Sequence, residues 1–261
     1  MGTLWNLFKK DLKTITAFPR LEILLFIFTF MFLVMCYNSI VYPRTPRPVL
    51  QIDFIKTYNF IFSLFLSSFF FIIPPLLMTE LISGEYGNRT LLALVTYPVK
   101  RLEVLTSKFL VPFLLSSTIL VATILSSIVI GFDFNNLPID PRMLLAYFAG
   151  LIFLSFLLCS VAVAVSVLSN RLIIAAVAFL VISLSWGTIV NWLANIMNST
   201  DIQIYAYRET VKQLINLLLS PDGSLALFPK EQILTAVAIQ LIISISCLIT
   251  AFWAFQRKEF K

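Results

Sequence analysis

Six stretches of the chain contain no Asp, Glu, Lys or Arg: 23–43, 57–79, 109–132, 143–170, 172–200 and 232–256. Each is at least 21 residues long. A helix rises about 1.5 Å per residue, so about 20 residues cross a hydrocarbon layer of about 30 Å. Strands of an outer-membrane barrel would alternate strictly over about 10 residues. Runs such as Ile119–Leu125 and Leu172–Leu184 do not alternate. Helices satisfy their own backbone in lipid, and the pattern therefore predicts six spans over about 22–42, 57–79, 109–132, 143–170, 172–198 and 232–256. The fold class is an all-α integral membrane protein, read as one transmembrane domain over 1–261. The first run is too long for a signal-peptide core and is followed by the stiff polar loop Tyr42-Pro43-Arg44-Thr45-Pro46-Arg47-Pro48, not by a small-residue cleavage site.

Between the spans, shorter periodicities predict accessory elements. Over 3–16, Trp5, Phe8, Leu12 and Ile15 share one helical face, while Lys9, Lys10 and Lys13 fall mostly elsewhere. A basic amphipathic helix just before a span tends to lie in the membrane interface. The second run ends in Ile73-Pro74-Pro75, where a kink or an early stop is expected. Arg171 alone separates the fourth and fifth runs, which predicts a tight helical hairpin. In 201–231, Tyr207, Val211, Leu214, Ile215 and Leu218 recur at helical spacing before the turn signal Ser220-Pro221-Asp222-Gly223. That predicts an amphipathic helix capping the bundle, or a re-entrant piece. Asn198-Ser199-Thr200 is a glycosylation sequon, a pattern short enough to arise by chance.

Composition agrees with lipid as the solvent. Of 261 residues, 59% are apolar and 12% charged, and the mean hydropathy is +0.95. A soluble domain is about 45–50% apolar and about 25% charged. The net charge of +6 is unevenly placed. With six crossings, one side carries twelve basic residues against six acidic, and the other seven against seven. Basic residues stay cytosolic, so both termini are expected in the cytosol of a plasma-membrane protein. The basic residues are scattered and juxtamembrane, which fits an anionic lipid surface and not a nucleic acid.

Candidate chemistry is sparse. Cys36, Cys159 and Cys247 all lie inside apolar runs, at spacings that suit neither a metal site nor a disulfide framework. The chain has no histidine. No G-x-x-x-x-G-K-[ST] sequence occurs, so no nucleotide is expected on a P-loop here. No catalytic, cofactor-binding or metal-ligating set is expected, and the chain is not read as an enzyme. No charge lies deep in a predicted span, which argues against a proton-coupled carrier. The polar groups inside spans are hydroxyls and amides. Thr188, Asn191 and Asn195 share one face near the outer end of the fifth span. They are candidate path-lining residues, although hydrogen bonding between helices is the commoner use of such groups.

The segment between the second and third spans is the most informative. It reads Glu80-Leu-Ile-Ser-Gly84-Glu85-Tyr-Gly87-Asn-Arg89-Thr90-Leu91, continues to Pro98-Val99-Lys100-Arg101, and ends at Lys108. This resembles the ABC type-2 permease family, the membrane subunits of ABC exporters. Glu85, Thr90, Leu91, Pro98, Val99, Arg101 and Lys108 match the family pattern, whereas Arg89 stands for the usual Gly and Lys100 for the usual Ser. The amphipathic start, the six spans and the closing Phe255-Gln-Arg257-Lys-Glu-Phe260 extend the resemblance along the chain. It implies a dimer with a second copy or close relative, docked on two ATP-binding subunits that hold the ATP and magnesium. It also implies a cytosolic coupling helix, with Glu80, Gly84, Glu85, Gly87, Arg89, Thr90, Pro98 and Arg101 as coupling residues. Glu85 and Arg101 would make charged contacts with the ATPase, and Gly84 and Gly87 would permit a tight turn. The residues by themselves are equally those of a solvated charged loop.

Two other readings stay open on sequence. One is a permease-like scaffold that passes ATP-driven motion to another protein without moving a solute. The other is an ATPase-independent channel or carrier. Twenty-five phenylalanines suit an amphipathic cargo and equally suit ordinary lipid contact.

Overall fold

The computed structural model describes residues 2–16, 78–85, 100–134, 140–169, 171–220 and 225–257, with the single positions 22, 26, 29, 30, 33, 34, 37 and 222. Apart from those positions, the first predicted span, the second up to residue 77, and the stretch 86–99 lie outside the described residues. All regular structure among the described residues is helical. It comprises α1 (Gly2–Ile15), a π-helical turn (Glu80–Gly84), α2 (Arg101–Phe134), α3 (Pro141–Leu168), α4 (Leu172–Ile196), a 3-10 turn (Thr200–Tyr205), α5 (Tyr207–Leu219) and α6 (Lys230–Arg257). Four of these helices are long and apolar enough to cross a membrane: α2, through Arg101–Ile119, together with α3, α4 and α6. They fall on the third to sixth predicted spans.

α3 is the central helix. In its most apolar stretch 67% of the residues are buried, against 24% for α4 and 22% for α6. Small residues on α3 explain the close approach of its neighbours. A Cβ at Gly150 would lie 2.5 Å from Ile215 Cγ1 of α5, so only glycine fits beneath that side chain. α3 starts cleanly because Pro141 sits at its first position and Asp140 caps it, accepting from the Arg142 amide at 2.9 Å. At its other end Ser169 Oγ donates to the Arg171 carbonyl at 3.0 Å, closing the short turn into α4. The predicted hairpin is therefore built on Ser169 as well as Arg171.

α4 ends on Asn198, at φ 48°. The Ser199 amide donates to the Ala194 carbonyl at 3.0 Å and the Asn198 amide to that of Asn195 at 3.3 Å. This is a left-handed helix stop, a backbone role that asparagine tolerates better than most residues.

The segment between α4 and α6 folds as expected in outline, with α5 at Tyr207–Leu219. Its faces differ from the periodicity. Gln213 and Asn216 are buried and Leu218 is 42% exposed. Gln213 is buried because its side-chain oxygen accepts from the Leu227 amide at 3.0 Å, and its nitrogen donates to Glu209 at 2.7 Å. α5 is thus covered on two sides, by α3 and by the returning chain. Tyr207 donates to the Ser183 carbonyl at 3.2 Å, and burial pushes its phenol above the ordinary range.

Candidate functional site

α2 begins at Arg101, two turns before the predicted third span. At 34 residues it is about 50 Å long, more than a bilayer core requires. Its first two turns carry Arg101, Glu103, Ser107 and Lys108. Lys108 is fully buried, and an ammonium cannot sit there alone without a large desolvation cost. Its Nζ lies 2.6 Å from Glu85 Oε2 and 3.4 Å from Asp11 Oδ1. Glu85 Oε1 also meets Lys10 Nζ at 3.3 Å, and Asp11 Oδ2 accepts from Ser107 Oγ at 2.7 Å. Two lysines and two carboxylates sum to zero charge. Each carboxylate uses both oxygens, the geometry a buried pair needs. Pro112 adds to the local constraint, because it has no N–H to give the Lys108 carbonyl one turn back.

Three elements distant in sequence meet at this network. α1 brings Lys10 and Asp11, the end of the π-helical turn brings Glu85, and α2 brings Ser107 and Lys108. α1 turns Leu7, Asp11 and Ile15 inward, at spacings of four, so a carboxylate sits in its buried stripe. Trp5 stays 56% exposed and Leu12 36% exposed on the neighbouring face. Lys9 lies over the Trp5 ring at 5.2 Å, and Phe8 stacks on that ring at 5.5 Å. α1 therefore grips the protein with one face and presents an aromatic, basic face outward.

The π-helical turn is held in turn by α3. Ser83 Oγ donates to the Ser166 carbonyl at 3.0 Å and lies 3.4 Å from that of Ser169. Leu81, Ile82 and Ser83 are buried. Short π-helical insertions occur often at functional positions. Arg101 Nη1 donates to the Gln256 carbonyl at 2.7 Å, fastening the start of α2 to the end of α6.

The residues singled out on sequence separate into distinct places. Glu85 joins the network, with its carboxylate turned to Lys10 and Lys108 of its own chain. Gly84 closes the π-helical turn without a left-handed backbone. A Cβ there would lie 3.4 Å from Leu172 Cδ1, an ordinary van der Waals contact, so packing against α4 does not by itself require glycine. The tight turn expected from Gly84 and Gly87 together would continue past residue 85, outside the described residues. Glu80 opens the π-helical turn, and Arg101 opens α2. Gly87, Arg89, Thr90 and Pro98, with the coupling helix itself, lie outside the described residues. Thr188, Asn191 and Asn195 are all exposed toward the C-terminal end of α4, beside Trp192 and Ile196. The sequence reading missed Asp11 and Lys108 as an internal pair. The available signal was one acidic residue inside a basic amphipathic helix.

The described fold is thus that of a polytopic helical membrane protein whose N-terminal helix is bolted to the start of α2 by buried charge. The family model described as ABC-2 family transporter protein matches residues 5–260, and the chain belongs to that family. A search of curated proteins returns no match.

Proposed function

We propose that this chain is the permease subunit of an ATP-driven exporter, crossing the plasma membrane six times with both termini in the cytosol. In this reading two copies, or one copy and a close relative, form the translocation path. Two separate ATPase subunits bind and hydrolyse ATP with magnesium, and the 80–108 segment couples them to the spans. Membership of the ABC-2 transporter family supports the permease role. The observation that carries the coupling role is the network around Lys108. It ties α1, the turn before residue 86 and the first turns of α2 into one unit. A segment anchored at both its ends to such a unit transmits a push instead of absorbing it. Glu85 and Arg101 then act as fixed mounts for the coupling segment, with Gly87, Arg89, Thr90, Pro98 and Lys100 left to meet the ATPase.

The outer end of α4 supports a partnered permease. Amides exposed to lipid are costly, and Asn191 and Asn195 are exposed on the isolated chain. A second copy against this face, enclosing a weakly polar path with Thr188, removes that cost.

The test is affinity purification of the tagged chain from gently solubilised native membranes, followed by ATPase assay. Wild type should bring down an ATP-binding subunit. Arg89→Glu with Lys100→Glu should lose it at unchanged permease yield and elution volume. If wild type brings down no ATPase even after crosslinking, the coupled-permease reading fails.

A further inference from the structure

Beneath α5, α4 and α6 each pack on α3 but not closely on one another. They leave a cavity of about 250 Å³. Val161 and Val165 of α3, Ile182 of α4, and Ile243 and Cys247 of α6 form its walls. Polar groups gather at one end, and each already donates within the chain. Tyr207 donates to Ser183, Gln240 to the Tyr205 carbonyl at 2.7 Å, and Ser244 to the Gln240 carbonyl at 2.9 Å. An occupant therefore has apolar walls along its length and a closed polar floor. The open side is apolar too, with Leu168 66% and Ile182 45% exposed.

The direction of the cavity identifies the occupant. Leu168 is the last residue of α3, and Leu157 lies about 16 Å deeper along the same helix. Ile182 of α4 and Cys247 of α6 each lie about 15 Å in from the same end of their helices, so the cavity has three walls at mid-depth and reaches the surface along α3, the path an acyl chain takes. An apolar cavity of about 150 Å³ holds a benzene ring, so this volume holds on the order of ten carbons. At the surface end, three residues beyond Leu168, stands the exposed Arg171. The same surface carries Lys10, Arg101 and Arg257, since α1, the start of α2 and the end of α6 gather there. A phosphate at the head of the chain meets positive charge at this end.

We propose that this cavity is a binding site for one membrane phospholipid, with an acyl chain between α3, α4 and α6 and its phosphate near Arg171. The lipid is a resident wedge that sets the spacing of α4, distinct from any cargo. The site depends only on the chain lying in a bilayer and not on its coupling to an ATPase.

The test uses the full chain with Trp186, on the cavity wall, as its one tryptophan, the other three replaced by Phe. The probe is phosphatidylglycerol with a dibrominated acyl chain, titrated into detergent micelles. Trp186 fluorescence should fall and saturate at one lipid per chain. Ala164→Phe from α3 and Cys247→Phe from α6 each fill the cavity and should remove the saturable component. Arg171→Gln should raise the half-saturating lipid ratio about fivefold. Native mass spectrometry of unmodified wild type should show one retained phospholipid per chain, a readout independent of any variant's folding. Quenching that only tracks bulk lipid, equal in wild type and filled variants, overturns the proposal in favour of ordinary surrounding lipid. No quenching at any ratio overturns it in favour of a protein occupant, either this chain or a second copy.

Discussion

Lys108 shows how a single residue sets the chemistry of a whole corner of the protein. Its ammonium is buried with Asp11 and Glu85, while Lys10, the fourth member, keeps 43% of its side chain exposed. Breaking a buried pair leaves an uncompensated charge, whereas replacing the whole set with neutral groups removes the desolvation cost together with the attraction. Lys108→Met should therefore destabilise the chain by about 3–5 kcal/mol in a denaturant titration in mixed micelles. Adding Asp11→Asn and Glu85→Gln should recover most of that loss. Lys10→Ala should cost under ~1 kcal/mol, because a half-exposed ion pair is screened. Equal losses for Lys108→Met and Lys10→Ala would show that the network is not the anchor described here. Sequence alone displayed Lys108 and Glu85 as matches to a family pattern, and Asp11 only as one acid among lysines. The pairing was not legible because it joins positions 97 residues apart, and hydropathy carries no such information.

At the scale of elements, the long spans were legible and the packing faces were not. α3, α4 and α6 lie where uncharged runs of adequate length place them, since length and apolarity are one-dimensional properties. The burial of Gln213 and Asn216 on α5 was hidden, because it depends on the chain returning over the helix through Leu227. Likewise Gly84 suggested a turn on sequence and sits in a π-helical turn beside Leu172, a placement that only the fold reveals. Gly150 offers a sharper test of such contacts. Gly150→Ala pushes a methyl group against Ile215 and should cost about 1–3 kcal/mol through overpacking of α5 on α3. Ile215→Ala removes the clashing atoms. The double variant should therefore be more stable than the sum of the two single losses by about 0.5–3 kcal/mol. Strict additivity in this cycle would mean that α5 does not sit on Gly150.

For the whole molecule, the question is which surface faces which compartment. On sequence, six crossings would put +6 on one side and zero on the other. The fold adds a geometric link that charge counting lacks. α1 is bonded to the start of α2, Arg101 to the end of α6, and Ser83 to the end of α3 one turn before Arg171. These contacts gather Lys13, Arg101, Arg171 and Arg257 at one end of the spans, while Asp222 lies in the connection from α5 to the start of α6. Sidedness is then a single choice, and the basic end should be cytosolic. The check uses a background in which Cys36, Cys159 and Cys247 are replaced by Ser or Ala, with one cysteine returned at Lys13, Arg171 or Asp222. A membrane-impermeant maleimide applied to right-side-out vesicles should label Asp222→Cys alone. Inverted vesicles should label Lys13→Cys and Arg171→Cys and leave Asp222→Cys unmodified. If Lys13→Cys and Arg171→Cys label from opposite sides, the contacts around Lys108 and Ser83 do not exist in the membrane. If all three simply exchange sides, the helix packing stands, the orientation inverts, and an ATPase could not reach the 80–108 segment from the cytosol.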